Sequence, residues 1–258
     1  MPPPPMDRPA LMAALRARIG RLERTGAAAA LARAEAGSVL LTEAIDAALP
    51  GGGLARAALH EVVAEEAGAA AGFAAMLLGR AAGDGGTVLW IGPAPDAWPP
   101  GLARYGLSPA SLVMVRAPRP ADGLWAMEEA LRCTAVAGAL LMLTDIDLTA
   151  ARRLQLAAET GGALGLLLRP DMAEGGPSAA LTRWRIGALP GLGGGSGNSA
   201  HALGDPRWRI TLERCRAGQP RAWHAAWRTT QDRLDTEEEA AFSSPDARAT
   251  TGAGSRRA

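Results

Sequence analysis

The stretch Ala58-Leu-His-Glu-Val-Val63, followed by Ala67-Gly-Ala-Ala-Ala-Gly-Phe73, decides the fold of this chain. The first part is a short apolar run typical of a buried strand, and residues 68–82 have the spacing of a helix that ends at the turn Gly83-Asp-Gly-Gly86. Nucleotide-binding α/β proteins place a glycine-rich phosphate loop between such a strand and such a helix, with a lysine that reaches the phosphates. The junction therefore predicts an α/β fold and directs attention to nucleotide binding.

The chemistry of a phosphate loop is absent from this junction. The chain contains no lysine, Phe73 stands where that lysine is expected, and the spacing from Gly68 to Gly72 is one residue short. Arginine is a poor substitute, because its guanidinium is a planar fork rather than a compact point charge. We interpret Gly68, Gly72 and Phe73 as a degenerate phosphate loop. We predict no catalytic residues, no cofactor and no metal; a degenerate but active ATPase is the alternative.

Two aspartates follow the third apolar strand, Gly138–Leu143, where a fold of this kind would hold its metal. Without a phosphate loop to bring nucleotide and metal, we interpret Asp145 and Asp147 as carboxylates of a loop or of the first turn of a helix. The sequence shows no Ser/His/Asp or Cys/His arrangement for nucleophilic catalysis.

Composition excludes several classes of protein. The 258 residues are 48% hydrophobic with a formal net charge of +1, so the chain can bury a core and has no general attraction for nucleic acid or membrane. Cys133 and Cys215 form no disulfide framework. The start, Met1-Pro-Pro-Pro-Pro-Met6, lacks the apolar segment of a signal peptide. The longest apolar run, Ala135–Leu143, is far shorter than the roughly 20 residues that span a bilayer. We predict a cytoplasmic protein with no membrane contact.

The sequence pattern divides the chain into five segments. We predict an amphipathic basic helix in 1–36, a core in 37–189, a flexible Gly/Ser loop in 190–206, C-terminal strands in 207–229 and a disordered tail in 230–258. In the core, short apolar strands alternate with helices, which favours a mostly parallel sheet with flanking helices. The N-terminal helix either packs on its own domain or docks on a partner.

Several helix ends in the core are also predicted. Asp122 is expected to cap a helix through about Ala137, with Glu128 paired to Arg132, and Thr149 is expected to cap a helix that ends at Gly161-Gly162. Beyond Pro170 the alternation of apolar and polar residues in 181–187, 207–214 and 221–228 is typical of half-exposed antiparallel strands.

The tetrapeptide Arg-Trp-Arg-Ile occurs twice on these strands, at 183–186 and 207–210. Because side chains alternate along a strand, the tryptophans and isoleucines share one face and the arginines share the other. The arginines form either a solvated, salt-bridged face or a surface for phosphates or an acidic partner. The candidate partner or DNA contacts are Arg183, Arg185, Arg207, Arg209, Trp223 and Trp227, although the two tryptophans are also explained by packing against the sheet.

A series of short motifs, in order from about Leu40 to Arg228, resembles the ImuA family. The motifs are Pro50-Gly-Gly-Gly-Leu54, His60-Glu-Val62, Leu89-Trp-Ile91, Pro100-Gly-Leu-Ala103, Tyr105-Gly-Leu107, Leu124-Trp-Ala-Met-Glu-Glu-Ala-Leu-Arg132, Arg152-Arg-Leu-Gln-Leu-Ala-Ala-Glu159, Leu166-Leu-Leu-Arg-Pro170, Thr182-Arg-Trp-Arg-Ile186 and the stretch from Trp208 to Arg216. Each motif is weak by itself, and together they are specific.

The resemblance implies a RecA-like fold and a role in the SOS response, as a non-catalytic adaptor of error-prone translesion DNA synthesis. The implied partners are an ImuB-type, Y-family-like protein and an error-prone DnaE-type polymerase, with RecA or a second copy of the chain as further candidates and DNA contacted only indirectly. A RecA-like repair protein that binds ATP or DNA is one alternative. A SulA-like cell-division inhibitor is another, because the family has been grouped with such proteins.

Overall fold

The computed structural model describes residues 37–83, 85–95, 97–171, 178–191 and 204–237 of the chain. The predicted N-terminal helix, most of the predicted Gly/Ser loop and the residues after 237 lie outside the described residues. Within the described ranges, no helix has the length and apolar character needed to cross a membrane.

Eleven strands occur in the described part of the chain. They are β1 (Ser38–Val39), β2 (Leu54–Ala55), β3 (Leu59–Ala64), β4 (Thr87–Gly92), β5 (Leu112–Arg116), β6 (Val136–Met142), β7 (Leu164–Pro170), β8 (Thr182–Leu189), β9 (Arg207–Cys215), β10 (Arg221–Arg228) and β11 (Arg233–Glu237). The first two pair only with each other, and the other nine form one sheet in the order β11-β10-β9-β8-β3-β7-β6-β4-β5.

The sheet has a parallel part and an antiparallel part. Strand β3 lies parallel to β7 and β8, β6 lies parallel to β4 and β7, and β5 lies parallel to β4 at one edge. From β8 outward, β9, β10 and β11 are antiparallel to their neighbours. The predicted α/β class, with a mostly parallel sheet and antiparallel C-terminal strands, is confirmed.

Helices lie on both faces of the sheet. They are α1 (Glu43–Asp46), α2 (Ala67–Ala82), α3 (Pro99–Ala103), α4 (Pro120–Arg132) and α5 (Leu148–Gly161), with a 3-10 helix at Pro109–Ser111. Helix α2 packs on one face, against β3, β6, β7 and β8, whereas α4 and α5 pack together on the other face. Strands covered on both faces must be apolar on both, which explains the continuous apolar runs of β6 and β7.

Two hydrophobic clusters form the core, one on each face. Helix α2 contributes ten buried residues to its face and is alanine-rich, so it can approach the sheet closely. At the opposite face, Gly161 allows the end of α5 to meet the end of α4, because a Cβ there would collide with the carbonyl oxygen of Leu131. Gly162 ends α5 with a φ of 73°, as predicted, because a left-handed residue stops a helix and glycine adopts that conformation without strain.

The structure corrects the predicted helix starts. Arg119, not Asp122, occupies the N-cap of α4, and Pro120 holds the first helical position, which suits its fixed φ. Asp122 lies in the first turn and pairs with Arg119, and the helix ends at Arg132 rather than near Ala137. The cap of α5 is Asp147, not Thr149: its carboxylate accepts the Ala150 N–H at 2.8 Å. The predicted Glu128–Arg132 pair is confirmed at 2.6 Å.

The structure also corrects two predictions for the C-terminal strands. Strand β8 is not a half-exposed antiparallel strand on both sides, because one of its edges pairs parallel with β3 and most of its residues are buried. The prediction of a disordered tail from residue 230 is wrong for Arg233–Glu237, which form β11 and pair with β10.

Candidate functional site

The junction between β3 and α2 has no room for a phosphate loop. Strand β3 ends at Ala64 and α2 begins at Ala67, so Glu65 and Glu66 form the whole connection. The Glu65 carboxylate pairs with Arg209, and the Glu66 carboxylate accepts the Ala188 N–H at 2.7 Å. A helix N-terminus attracts anions, but two carboxylates already held there repel a phosphate. The connection therefore lacks both the length and the lysine of a phosphate loop and places two carboxylates beside the start of the helix.

The residues interpreted as a degenerate phosphate loop lie inside α2. Phe73 is fully buried, and its ring lies 6.2 Å from that of Trp184 and 5.9 Å from that of Trp208, centroid to centroid. Gly72 allows a close approach, since a Cβ there would lie 2.8 Å from the Tyr105 ring. Gly68, in the first turn, meets nothing within 4 Å. Phe73 and Gly72 thus serve helix packing.

The two aspartates after β6 have structural partners. Asp147 caps α5, and the Asp145 carboxylate lies 3.6 Å from the guanidinium of Arg169. Across the ranges that the structure describes, no three His, Cys, Asp or Glu side chains come together as a metal site.

A cavity of about 820 Å³ opens at the carboxyl edge of the parallel strands, beside the first turns of α2. In open parallel sheets this edge is where ligands bind. The ends of β3, β6 and β7, helix α3 and the segment before it all contribute to the walls. Side chains that line it include Trp90, Trp98, Leu102, Tyr105, Met142 and Leu168. Apolar and aromatic groups have therefore replaced the phosphate-binding groups expected at this edge.

The arginines of the repeated tetrapeptide share one face of the sheet, as predicted, and each contacts a carboxylate. Arg183 donates to Glu61 at 2.6 Å, and the Nε of Arg207 donates to Glu237 at 2.9 Å. Further ion pairs on this face join Arg185 to Asp171 and Glu213, Arg209 to Glu65, Arg228 to Asp205 and Asp235, and Arg233 to Asp235.

These ion pairs change the electrostatic character of the face. Hydrogen bonds from Arg207 lower the pKa of the Glu237 carboxyl, and those from Arg233 and Arg228 lower the pKa of the Asp235 carboxyl. Both carboxylates are therefore charged at neutral pH and offset the arginines beside them. A charge-balanced face releases few counterions from a nucleic acid and gains little affinity from them.

The other predicted contact residues, Trp223 and Trp227, are buried, at 8% and 1% exposure. The Trp227 indole N–H donates to the Arg104 carbonyl at 2.7 Å, and the Arg80 guanidinium lies 5.8 Å from the centre of the Trp227 ring. Their rings belong to an aromatic cluster with Tyr105, Trp184 and Trp208 between the sheet and α2. The tryptophans support the strands that carry the arginines.

Two buried polar groups in the centre of the sheet are fully partnered. Glu61 accepts from Arg183 and from Ser178, and Arg169 lies 3.9 Å away. His60 is buried between Ala55 and Thr182, and burial lowers its pKa to about 4. Its Nε2 must donate to the Ala55 carbonyl, which can only accept, so Nδ1 accepts the Thr182 hydroxyl. Both groups are structural.

Sequence reasoning missed the residues that define this edge of the sheet. Glu65 and Glu66 stand directly after the predicted strand, and their charges were a readable signal against phosphate. Trp98 is 70% exposed at the cavity, and the Pro99-Pro100 pair that follows it marks a helix start. The grouping of Trp90, Met142 and Leu168 had no signal in the sequence, because three separate segments bring them together.

Comparison with known proteins identifies relatives of this chain. No model of a known protein family matches the chain. Two curated proteins called Protein ImuA, from Caulobacter vibrioides strains NA1000 / CB15N and ATCC 19089 / CIP 103742 / CB 15, are similar to it. Each is 42% identical over 196 residues, which cover 69% of this chain and 78% of the relative.

Proposed function

This chain belongs to the ImuA family, and from that membership we propose that it is a non-catalytic adaptor in damage-induced, error-prone translesion DNA synthesis. It acts with an ImuB-type, Y-family-like protein and an error-prone DnaE-type polymerase in the cytoplasm. The sheet and its helices serve as a platform on which these partners assemble, and the chemistry of DNA synthesis belongs to the polymerase.

The observation that supports a non-catalytic role is the two-residue connection between β3 and α2. Glu65 and Glu66 stand where the chain enters the helix, in place of a glycine-rich loop, and Phe73 belongs to the core rather than to a site. Hydrolysis of a nucleotide needs groups that stabilise the charge on the phosphates. This junction supplies negative charge instead.

The open face of β8–β11 supports binding of a protein rather than of DNA. Its arginines are offset by carboxylates, so a partner meets a mixed, charge-balanced surface. Arg185, Arg207 and Arg209 remain partly exposed and are the proposed contacts. Arg183, Trp223 and Trp227 are buried and hold the strands in place beneath them. DNA is then reached through the partners.

The platform is tested by complementation and by direct binding. In a strain that lacks the chromosomal copy, the full chain is expected to restore damage-induced mutagenesis only when the ImuB-type partner is present. Restored mutagenesis without that partner would contradict the proposal. Calorimetry with Mg-ATP is expected to show no binding heat, and micromolar binding would favour the ATPase alternative.

A matched pair of variants tests the arginine face. Glu65→Gln breaks the same ion pair as Arg209→Ala but leaves the guanidinium in place. If Arg209 contacts the ImuB-type partner, Arg209→Ala weakens binding by roughly tenfold, the effect of losing an interfacial hydrogen bond to a charged group, while Glu65→Gln leaves it unchanged. Equal effects of both variants would mean that the ion pair matters only to the fold.

A further inference from the structure

The cavity at the carboxyl edge of the sheet contains an unpartnered polar group that the adaptor role alone does not explain. Trp90 lines this cavity and is buried, yet its indole N–H finds no acceptor among the described residues. A buried donor without a partner costs about 1–3 kcal/mol of stability. A ligand that brings a carbonyl or carboxylate oxygen into the cavity would recover that loss.

The rim of the cavity has two further features of a binding surface. Trp98 is 70% exposed and lies beside the opening, and exposed tryptophans are enriched among residues that dominate protein interfaces. Arg104 also lines the cavity and is exposed, and its side chain forms no ion pair with any residue in the described ranges. The opening thus combines an aromatic surface with positive charge.

The chemistry of the walls selects the ligand class. The lining is mainly apolar. The guanidinium of Arg169 also lies in the wall, but it donates to the Thr144 carbonyl at 3.0 Å and lies 3.6 Å from the Asp145 carboxylate. The volume is in the range of small-ligand pockets and exceeds what one aromatic side chain fills. A large apolar side chain, with the backbone on either side of it, matches these walls, and an adjacent carboxylate matches Arg104.

We propose that this cavity receives a peptide segment of the ImuB-type partner, anchored by a large apolar side chain with an acidic residue next to it. The inference rests on the proposed function, since it assigns the docking site of an adaptor. A carbonyl or carboxylate oxygen of the segment accepts the Trp90 N–H, and the anchor packs against Trp98 and Tyr105.

Two substitutions test the site within the full chain. Gly68→Trp plugs the cavity, and the structure accommodates a side chain there because a Cβ at Gly68 meets nothing within 4 Å. Trp98→Ala removes the exposed anchor surface and keeps the test valid should Gly68→Trp not fold. Trp125→Ala is the matched control, because Trp125 is 66% exposed on α4, remote from this cavity.

The probe is 8-anilinonaphthalene-1-sulfonate, an aromatic anion whose fluorescence rises in apolar sites, with the purified ImuB-type partner as competitor. The wild-type chain and Trp125→Ala are expected to bind the dye at one site, and the partner is expected to displace it. Gly68→Trp and Trp98→Ala are expected to weaken binding of both dye and partner by roughly tenfold or more, as loss of a dominant interface residue does.

Three outcomes would overturn the inference, and they are distinguishable. If the partner binds the wild type and both cavity variants equally, the docking site lies elsewhere and the adaptor role stands. If the partner binds none of them, the adaptor role itself fails. Leu15 and Ile19 are apolar residues at helical spacing in the predicted N-terminal helix. If Leu15→Glu with Ile19→Glu strongly increases dye binding in the absence of partner, the cavity is occupied by the chain's own N-terminal segment.

Discussion

Restoring a lysine at position 73 would place the missing residue type where a phosphate loop carries it, yet we expect Phe73→Lys to destabilise the protein and not to confer ATP binding. Phe73 is fully buried in the middle of the cluster that joins α2 to the sheet. Its ring packs against Trp184 and, edge-on, against Trp208. No phosphate can reach a side chain at that position.

The size of the destabilisation by Phe73→Lys follows from what the buried Phe73 ring contributes to the free energy of unfolding. Truncation of a buried phenylalanine to alanine costs about 3–5 kcal/mol, which includes the cavity that is left. A lysine refills part of that volume with its aliphatic stem but brings a charge that must lose its hydration, so the cost is at least as large. Domains are stable by about 5–15 kcal/mol, so Phe73→Lys removes a large share of the total.

Urea denaturation followed by tryptophan fluorescence measures the effect, because five buried tryptophans report on this core. Phe73→Leu is the control: it loses the ring contacts but keeps an apolar side chain, so it is expected to cost clearly less than Phe73→Lys. The reasoning would be refuted if the free energy of unfolding of Phe73→Lys lay within about 1 kcal/mol of the wild-type value, or if the variant bound Mg-ATP.

Two further predictions concern the buried polar groups of the sheet. The folded-state pKa of His60, about 4, lies below its ordinary value of 6.5, so as the pH falls the unfolded chain is protonated first. The contribution of neutral His60 to the free energy of unfolding should therefore be complete above about pH 6.5 and fall by about 3 kcal/mol towards pH 4. Urea midpoints measured across this pH range test the prediction, and His60→Gln should show a flatter dependence on pH. Glu61→Ala should lower the free energy of unfolding by about 3–5 kcal/mol, because Arg183 and Arg169 lose their buried carboxylate. If the effects of Glu61→Ala and Arg183→Met simply add in a double-mutant cycle, this explanation is contradicted.

The sequence was most informative where a single physical requirement acts on a segment. Strands β6 and β7 are covered on both faces and so had to be apolar throughout, which identified them. Likewise the alternation at Trp184 and Trp208 assigned the correct faces, because one face is buried and the other is not.

Prediction failed where the deciding interaction lies outside the segment. Alternation cannot distinguish a strand with two antiparallel neighbours from β8, whose parallel neighbour is decided by the crossover of the chain. Strand β11 buries only Leu234 and is held by ion pairs to other strands, so its local composition looks like a tail. At the start of α4, Pro120 was a better signal than Asp122.

The place of the cavity beside the start of α2 was indicated, since Gly68 lines it, but its walls could not be predicted, because segments far apart in the sequence contribute them. By contrast, the shortness of the connection was readable: Glu65-Glu66 follows the strand directly and adds negative charge where a phosphate loop would supply glycines and a lysine.

The paired charges of β8–β11 also bear on the alignment of strands that share the repeated tetrapeptide. A slip by one residue would turn every tryptophan outward and is excluded by burial, but a slip by two residues would keep each face apolar or polar as before. The ion pairs run diagonally between the strands: Arg185 stands opposite Thr211 but contacts Glu213, and Arg207 is in line with Asp235 across β10 but contacts Glu237. Hydrophobic burial thus decides which way each side chain faces, and the diagonal ion pairs tie each arginine to a residue two positions along from the one in line with it.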